Sequence, residues 1–354
     1  SYREDGKVKK RYFGKKLPIG MRLSVLKSLF FAFVFAFVII SLGFLVIGAG
    51  SDSTRNDEWT MFGRYLNHSG YINVSAPSNI SKADISTTGG ATIKSIPTIV
   101  NGYIYFGSTD NYFYQVNASN ISQYISNYSV GVDVDSTAAV SGDYVYVGSA
   151  GGLIYQLNAT NVNQSFASFN TTGSVGQSSP VVVNNYVYIS SLSGQLYQLN
   201  ATNISVSFAN YTIFTPNDNP EGVSSIAISG SNVYVISIVD IGVSGSATIY
   251  QLNATNISKV INSYSVSAGN PDSIGEVTLT SQYAYFSIGT TLFQANITNV
   301  SKIHNTADYG KISHFPAIRD GYVYVGTSTN NMYQLNASNI SIVKNNVSVA
   351  NALT

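Results

Sequence analysis

The chain has no cysteine and a single tryptophan among 354 residues, and only 10% of them are charged. Without thiols, neither a disulfide framework nor a cysteine-ligated zinc or redox site can form. The missing cysteines leave the compartment open, because sheets that close by strand pairing need no covalent staple. Lys, Glu and Arg, the usual surface residues of helices, are scarce, whereas 26 Tyr and 17 Phe, with Ser, Thr and Asn throughout, supply strands and turns. The expected class is all-β. With 44% hydrophobic residues, a chain of this length buries a large core, which excludes disorder for most of it.

The formal charge of +1 conceals two regions. Nine of the eighteen Lys and Arg precede residue 29, against only Glu4 and Asp5. From Ser51 onward nine basic residues face fifteen acidic ones. A mildly acidic body with no basic stripe lacks the electrostatic footprint of a nucleic-acid binder, so nucleic acid is excluded as a partner.

Between the basic lead and the body runs LFFAFVFAFVIISLGFLVIGAG, from Leu29 to Gly50, without a charge. As a helix it is long enough to span a bilayer, and it exceeds the apolar region of a cleaved signal peptide. The basic flank predicts a cytoplasmic N-terminus and an exported body. A single-pass cell-membrane protein is expected; secretion is the alternative, by cleavage among Gly48, Ala49, Gly50 and Ser51 after a start at Met21. The resulting domains are a lead (1–28), an anchor or signal segment (29–50), a linker with an N-terminal outer strand (51–94) and repeats (95–354).

The repeats carry one phrase: YQVNASNI from Tyr114, YQLNATNV from Tyr155, YQLNATNI from Tyr197 and from Tyr250, FQANITNV from Phe293 and YQLNASNI from Tyr333. The intervals between leading aromatics are 41, 42, 53, 43 and 40 residues, the size of a four-stranded propeller blade. In the unit from Ser178, PVVV reads as a buried first strand, Asn184-Asn185 as a turn, YVYIS as the second strand, QLYQLN as the third and ISVSFANYTI as the outer strand. Tyr-x-Tyr followed by Gly-Ser or Gly-Thr is expected to stack aromatics between blades. Residues 80–90 read as an outer strand with no inner three before it. About six blades are visible, the parent ring is expected to have seven or eight, and the ring in this chain is expected to be open or imperfectly closed.

These residues resemble the PQQ-like (quinoprotein-like) β-propeller family. Tyr146-Val147-Gly148-Ser149 and Tyr155-Gln156-Leu157-Asn158-Ala159 match its repeat, with Asn where the family has Asp, and the stretch from Trp59 to Gly63 with Asn67-His68-Ser69-Gly70 is similar to its opening. The resemblance covers roughly residues 59–354 and implies a propeller. The family's quinone-dependent dehydrogenases need Trp platforms, a calcium ion held by Glu, Asn and Asp, a catalytic Asp and often vicinal cysteines. One tryptophan and no cysteine depart from that set, so no enzyme activity and no cofactor are expected.

Eight residues before the second-strand aromatics stand Ser95, Ser136, Ser178, Ser225, Gly275 and His314, preceded by Lys94, Asp135, Gln177, Ser224, Ile274 and Ser313. This ring has no carboxylate pair and no repeated His, so close strand approach explains it better than catalysis. Asp133 with Asp135 and the stretch 217–221 are oxygen-rich but lack the spacing of a calcium loop, so no metal is expected. Insertions fill the 53-residue interval, and loops projecting from repeat arrays often bind partners. The expected partner surface includes Asp218, Glu221 and Asp240, with His314 and Asp135 as further binding candidates.

Asn-x-Ser/Thr occurs nineteen times. Asn117, Asn158, Asn200, Asn253 and Asn336 are the glycosylation candidates, one in each of five repeated turns. Together these features predict a non-catalytic extracellular binding or adhesion module for protein or glycan, tethered through residues 29–50, with an envelope assembly or scaffold subunit as the alternative and a quinone-dependent dehydrogenase as the second.

Overall fold

The computed structural model describes residues 2–4, 7–9, 61, 91–176, 178–213, 220–224, 226–239, 245–268, 275–312 and 316–348. The chain divides into two compact units, 1–53 and 54–354. In the first, Tyr2–Glu4 and Lys7–Lys9 form a short antiparallel hairpin. The predicted membrane segment, 29–50, and the outer strand at 80–90 lie outside the described residues.

The second unit is an all-β propeller array of six consecutive antiparallel sheets, each built from neighbouring strands in chain order. Blade 3 shows the pattern: Val181–Val183, Tyr186–Ser190, Gln195–Asn200 and Asn203–Thr212, from inner to outer strand. Blade 1 spans Thr98 to Ser129, blade 2 Ala139 to Asn170, blade 5 Thr278 to Asp308 and blade 6 Ala317 to Ser348. The first hairpin takes positive φ at both turn residues in blades 1, 3 and 6, where Asn101-Gly102, Asn184-Asn185 and Asp320-Gly321 provide it.

Blade 4 holds the long interval. Its second and third strands lengthen to Asn232–Val239 and Gly245–Asn253. Its inner strand is split into Pro220–Val223 and Ala227–Ser229, both paired to Asn232–Val239. The inserted residues thus extend this sheet at one end.

What joins the blades is a repeated polar clamp between apolar faces. In blade 1 the Tyr105 hydroxyl and the Gln115 amide both donate to the carbonyl of Ala159 in blade 2, at 2.5 and 3.0 Å. Gln115 Oε1 in turn accepts the backbone N–H of Val162 at 3.2 Å. The same two side chains bind the next blade's turn four times more: Tyr146 and Gln156 on Ala201, Tyr188 and Gln198 on Ala254, Tyr234 and Gln251 on Ile297, Tyr285 and Gln294 on Ala337. Each of these Gln residues is almost fully buried, and each Oε1 takes a backbone N–H of the following outer strand. The clamp satisfies a carbonyl and an amide that would otherwise be buried unpaired.

The aromatic contacts differ from expectation. The two tyrosines of Tyr-x-Tyr tilt against each other within one strand, as Tyr144 with Tyr146. Aromatics between blades come instead from the third strand meeting the preceding blade's outer strand: Tyr155 with Tyr128, Tyr197 with Phe169, and Tyr250 with Tyr211. In blades 1, 2, 3 and 5 the second tyrosine of the pair is committed to the clamp, so its ring stays between the sheets and only its hydroxyl reaches across.

Burial raises the Tyr234 and Tyr285 hydroxyls from the ordinary 10.0 to about 12, and moves Tyr105, Tyr146 and Tyr188 in the same direction. Between pH 10 and 12 the unfolded tyrosines have lost protons that the folded ones keep, so unfolding releases protons and rising pH favours it. The clamp's contribution is fully present below pH 10 and is lost through that window. Thermal melts should give a flat Tm to about pH 9 and a steep fall by pH 12; a flat Tm over the whole range would mean that these hydroxyls are not buried.

Candidate interaction surface

The small hydroxyls at the blade starts are structural. Ser95 Oγ accepts the N–H of Gly107 at 2.7 Å, and Ser136, Ser178 and Ser224 do the same for Gly148, Ser190 and Ile236 at 3.3, 3.1 and 2.9 Å. Each bond ties the first strand to the end of the second twelve residues on. The structural equivalent in blade 4 is therefore Ser224, one residue before the Ser225 that counting suggests, because the second strand there begins at Asn232. In blade 5 the Gly275 N–H bonds directly to the Ser287 carbonyl at 3.0 Å.

Asp135 is the one predicted binding residue whose side chain the structure describes. Its Oδ2 lies 3.6 Å from Lys94 Nζ, across the first two blades. Its Oδ1 is buried and is the only such side-chain atom without a hydrogen-bond partner among the described residues. A half-exposed lysine contributes little to such a pair. Asp218, Asp240 and His314 lie outside the described residues, and Glu221 falls on the strand Pro220–Val223. Among the described residues no three His, Asp or Glu side chains gather as metal ligands would.

All five glycosylation candidates occupy the turn between third and fourth strands. Asn117 Oδ1 accepts both the backbone N–H and the hydroxyl of Ser119, at 2.8 and 2.7 Å. Asn158, Asn200, Asn253 and Asn336 hold Thr160, Thr202, Thr255 and Ser338 in the same way. The Ser or Thr of each motif thus closes an Asx turn, which accounts for its recurrence by local hydrogen bonding.

The surface feature not singled out from sequence is a β-bulge repeated in every outer strand. Opposite the Gln-Leu step of the third strand, the outer strand carries one extra residue: Ile125, Phe166, Phe208, Ile261, His304 and Lys344 in blades 1 to 6. Bulges re-aim side chains and interrupt edges that would otherwise pair with foreign strands. The extra residue is exposed throughout, with Phe166 at 55% and Phe208 at 51%. Phe166 meets Tyr144 edge-on at 5.3 Å, Phe208 meets Tyr186 at 5.4 Å, and His304 stacks on Tyr283 at 5.1 Å. Tyr124, Val206 and Val260 extend the exposed apolar surface beside it. One signal was present in the sequence, since every extra residue stands five after the Asn that opens the outer strand.

Six sequential sheets, a clamp running from each blade to the next and a row of outward side chains define a repeat propeller presenting surface. A family described as outer membrane protein assembly factor BamB, PQQ_2, matches residues 83–263, just over half of the chain. The chain belongs to this family of PQQ-like β-propeller repeats. Among solved structures, BamB from Moraxella catarrhalis is similar over 81% of this chain and 83% of its own, with 14% identity and a TM-score of 0.59. A computationally designed protein, Ika8, aligns over 73% of this chain and 87% of its own at 8% identity and a TM-score of 0.44. No curated protein matches the chain.

Proposed function

We propose that this protein is a non-catalytic scaffold of a cell-envelope assembly, held to the membrane through residues 29–50 and binding partner proteins along its outer strands. The observation that carries this reading is the bulge row, which exposes Ile125, Phe166, Phe208 and Ile261 on four successive blades. Apolar residues exposed in series at bulged edges form a strip suited to a protein partner. Membership of a family described by an outer-membrane assembly factor supports the scaffold role over adhesion. The adhesion reading drew on the glycosylation motifs, whose hydroxyls serve turns in the five candidate blades.

The test is the double variant Phe166→Ser, Phe208→Ser in the full chain, cross-linked in its host envelope and analysed by mass spectrometry. Each substitution removes one exposed edge-on ring contact, costing about 1 kcal/mol, so the fold should survive. Partner proteins captured by the unaltered chain should be lost. Recovery of the same partners by the variant would overturn the surface assignment, and dye reduction on adding quinone and calcium would overturn the non-catalytic reading.

A further inference from the structure

The outer strands carry two kinds of surface. Those of blades 1 to 3, Asn120–Ser129, Asn161–Asn170 and Asn203–Thr212, hold no charged residue. Those of blades 4 to 6, Asn256–Ala268, Asn299–Asp308 and Asn339–Ser348, hold Lys259, Lys302 and Lys344, with His304 two residues after Lys302. All three lysines are exposed, and none forms an ion pair among the described residues, where the pairs are Lys94 with Asp135 and Arg319 with Asp320. The one carboxylate on these strands, Asp308, closes the far end of blade 5, and its oxygens accept the Gly310 N–H and the Thr290 hydroxyl, both at 3.1 Å.

The two surfaces belong to one strip. Lys259 and Lys302 stand three residues after the Asn that opens their strand, where blades 1 to 3 have Gln123, Gln164 and Val206. Lys344 is the extra residue of its bulge, the position that Phe166 and Phe208 occupy in blades 2 and 3. Successive outer strands are held at a common offset: the Ser205, Ser258 and Ser341 hydroxyls donate to the carbonyls of Ser168, Asn210 and Thr306 in the blade before, at 3.3, 2.9 and 3.4 Å. The exposed row of Ile125, Phe166 and Phe208 thus leads into a cationic stretch, on a body where fifteen acidic residues outnumber nine basic ones from Ser51 onward. We propose that this strip docks an extended, acidic protein segment, with apolar side chains against blades 1 to 3 and carboxylates against blades 4 to 6. Opposite charge draws such a segment to the lysines, and the acidic remainder of the body repels it elsewhere. Outer strands of a propeller face radially outward, so a flat anionic bilayer would meet one or two blades, whereas an extended chain follows the rim. The inference rests on the outer strands being the partner surface and adds the chemistry of what they bind.

The test uses the full chain in neutral detergent and a fluorescent peptide whose first half alternates Leu with Ser and whose second half alternates Glu with Ser. Binding, read by anisotropy, should weaken about tenfold or more in the triple variant Lys259→Gln, Lys302→Gln, Lys344→Gln, survive in Lys259→Arg, Lys302→Arg, Lys344→Arg, and weaken as salt rises. Carbodiimide, which joins carboxylates to amines as amides, should link the peptide to Lys259, Lys302 and Lys344 rather than to Lys94 or Lys311. Equal binding by the glutamine variant, or cross-links confined to the basic lead at 1–28, would overturn the inference while the scaffold reading still stands or falls at Phe166 and Phe208. Loss in that variant of binding to phosphatidylcholine vesicles containing phosphatidylglycerol, with peptide binding intact, would overturn it in favour of a lipid surface.

Discussion

Gln198→Ala should lower stability by about 2–4 kcal/mol, while Gln334→Ala, the same residue type at the same repeat position, should cost less than about 0.5 kcal/mol. Gln198 is fully buried, donates to the Ala254 carbonyl at 2.9 Å and accepts from the Ile257 N–H at 3.3 Å. Its truncation leaves that amide buried without a partner and opens a cavity between blades 3 and 4. The Ala254 carbonyl keeps the Tyr188 hydroxyl, which limits the loss. Gln334 is only half-buried and holds Tyr324 within its own blade, so its removal leaves no joint unsatisfied. At about 2 °C per kcal/mol for a body of this size, thermal melts should separate the two variants by several degrees. Equal losses would mean that glutamine stabilises its own strand rather than the joint.

Gly107→Ala should lower stability, and Gly326→Ala should not. The new methyl at 107 would lie 2.2 Å from a backbone oxygen and 2.5 Å from Val134 Cγ1, so the blades must part. Overpacking of this kind costs about 1–3 kcal/mol or more. At 326 the methyl meets nothing, and loss of unfolded-chain freedom should leave stability unchanged or raise it by up to about 1 kcal/mol. Chemical denaturation of the two variants checks both signs. A neutral Gly107→Ala would show that blades 1 and 2 do not pack as closely as the Tyr105 and Gln115 bonds require.

The blades were legible in the sequence because each strand position recurs about every 41 residues, and recurrence exposes what a single strand leaves ambiguous. The turn at Asn184-Asn185 was readable for a local reason, since positive φ at two successive residues is tolerated by few side chains. The role of glutamine was not. Gln115 recurs visibly, but its partners are a backbone carbonyl and a backbone amide more than forty residues ahead, and backbone groups leave no mark on a sequence. The bulge was hidden for the opposite reason. Ile125 and Phe166 look like ordinary members of an alternating strand until the register against Val116 and Leu157 shows one residue too many. The partner loops, with Asp218 and Asp240, lie outside the described residues and sit in insertions that occur once, where recurrence offers no help.

In blades 1 to 5 one buried glutamine holds the next blade's backbone, and hydrogen exchange at the Ile257 amide is the sharpest probe of that hold. In the unaltered chain this N–H should exchange slowly, as should those of Val162 and Val300, which Gln115 and Gln251 hold in the same way. In Gln198→Ala, protection at Ile257 should fall sharply while Val162 and Val300 keep theirs. Unchanged protection at Ile257, or an equal loss at all three amides, would contradict it.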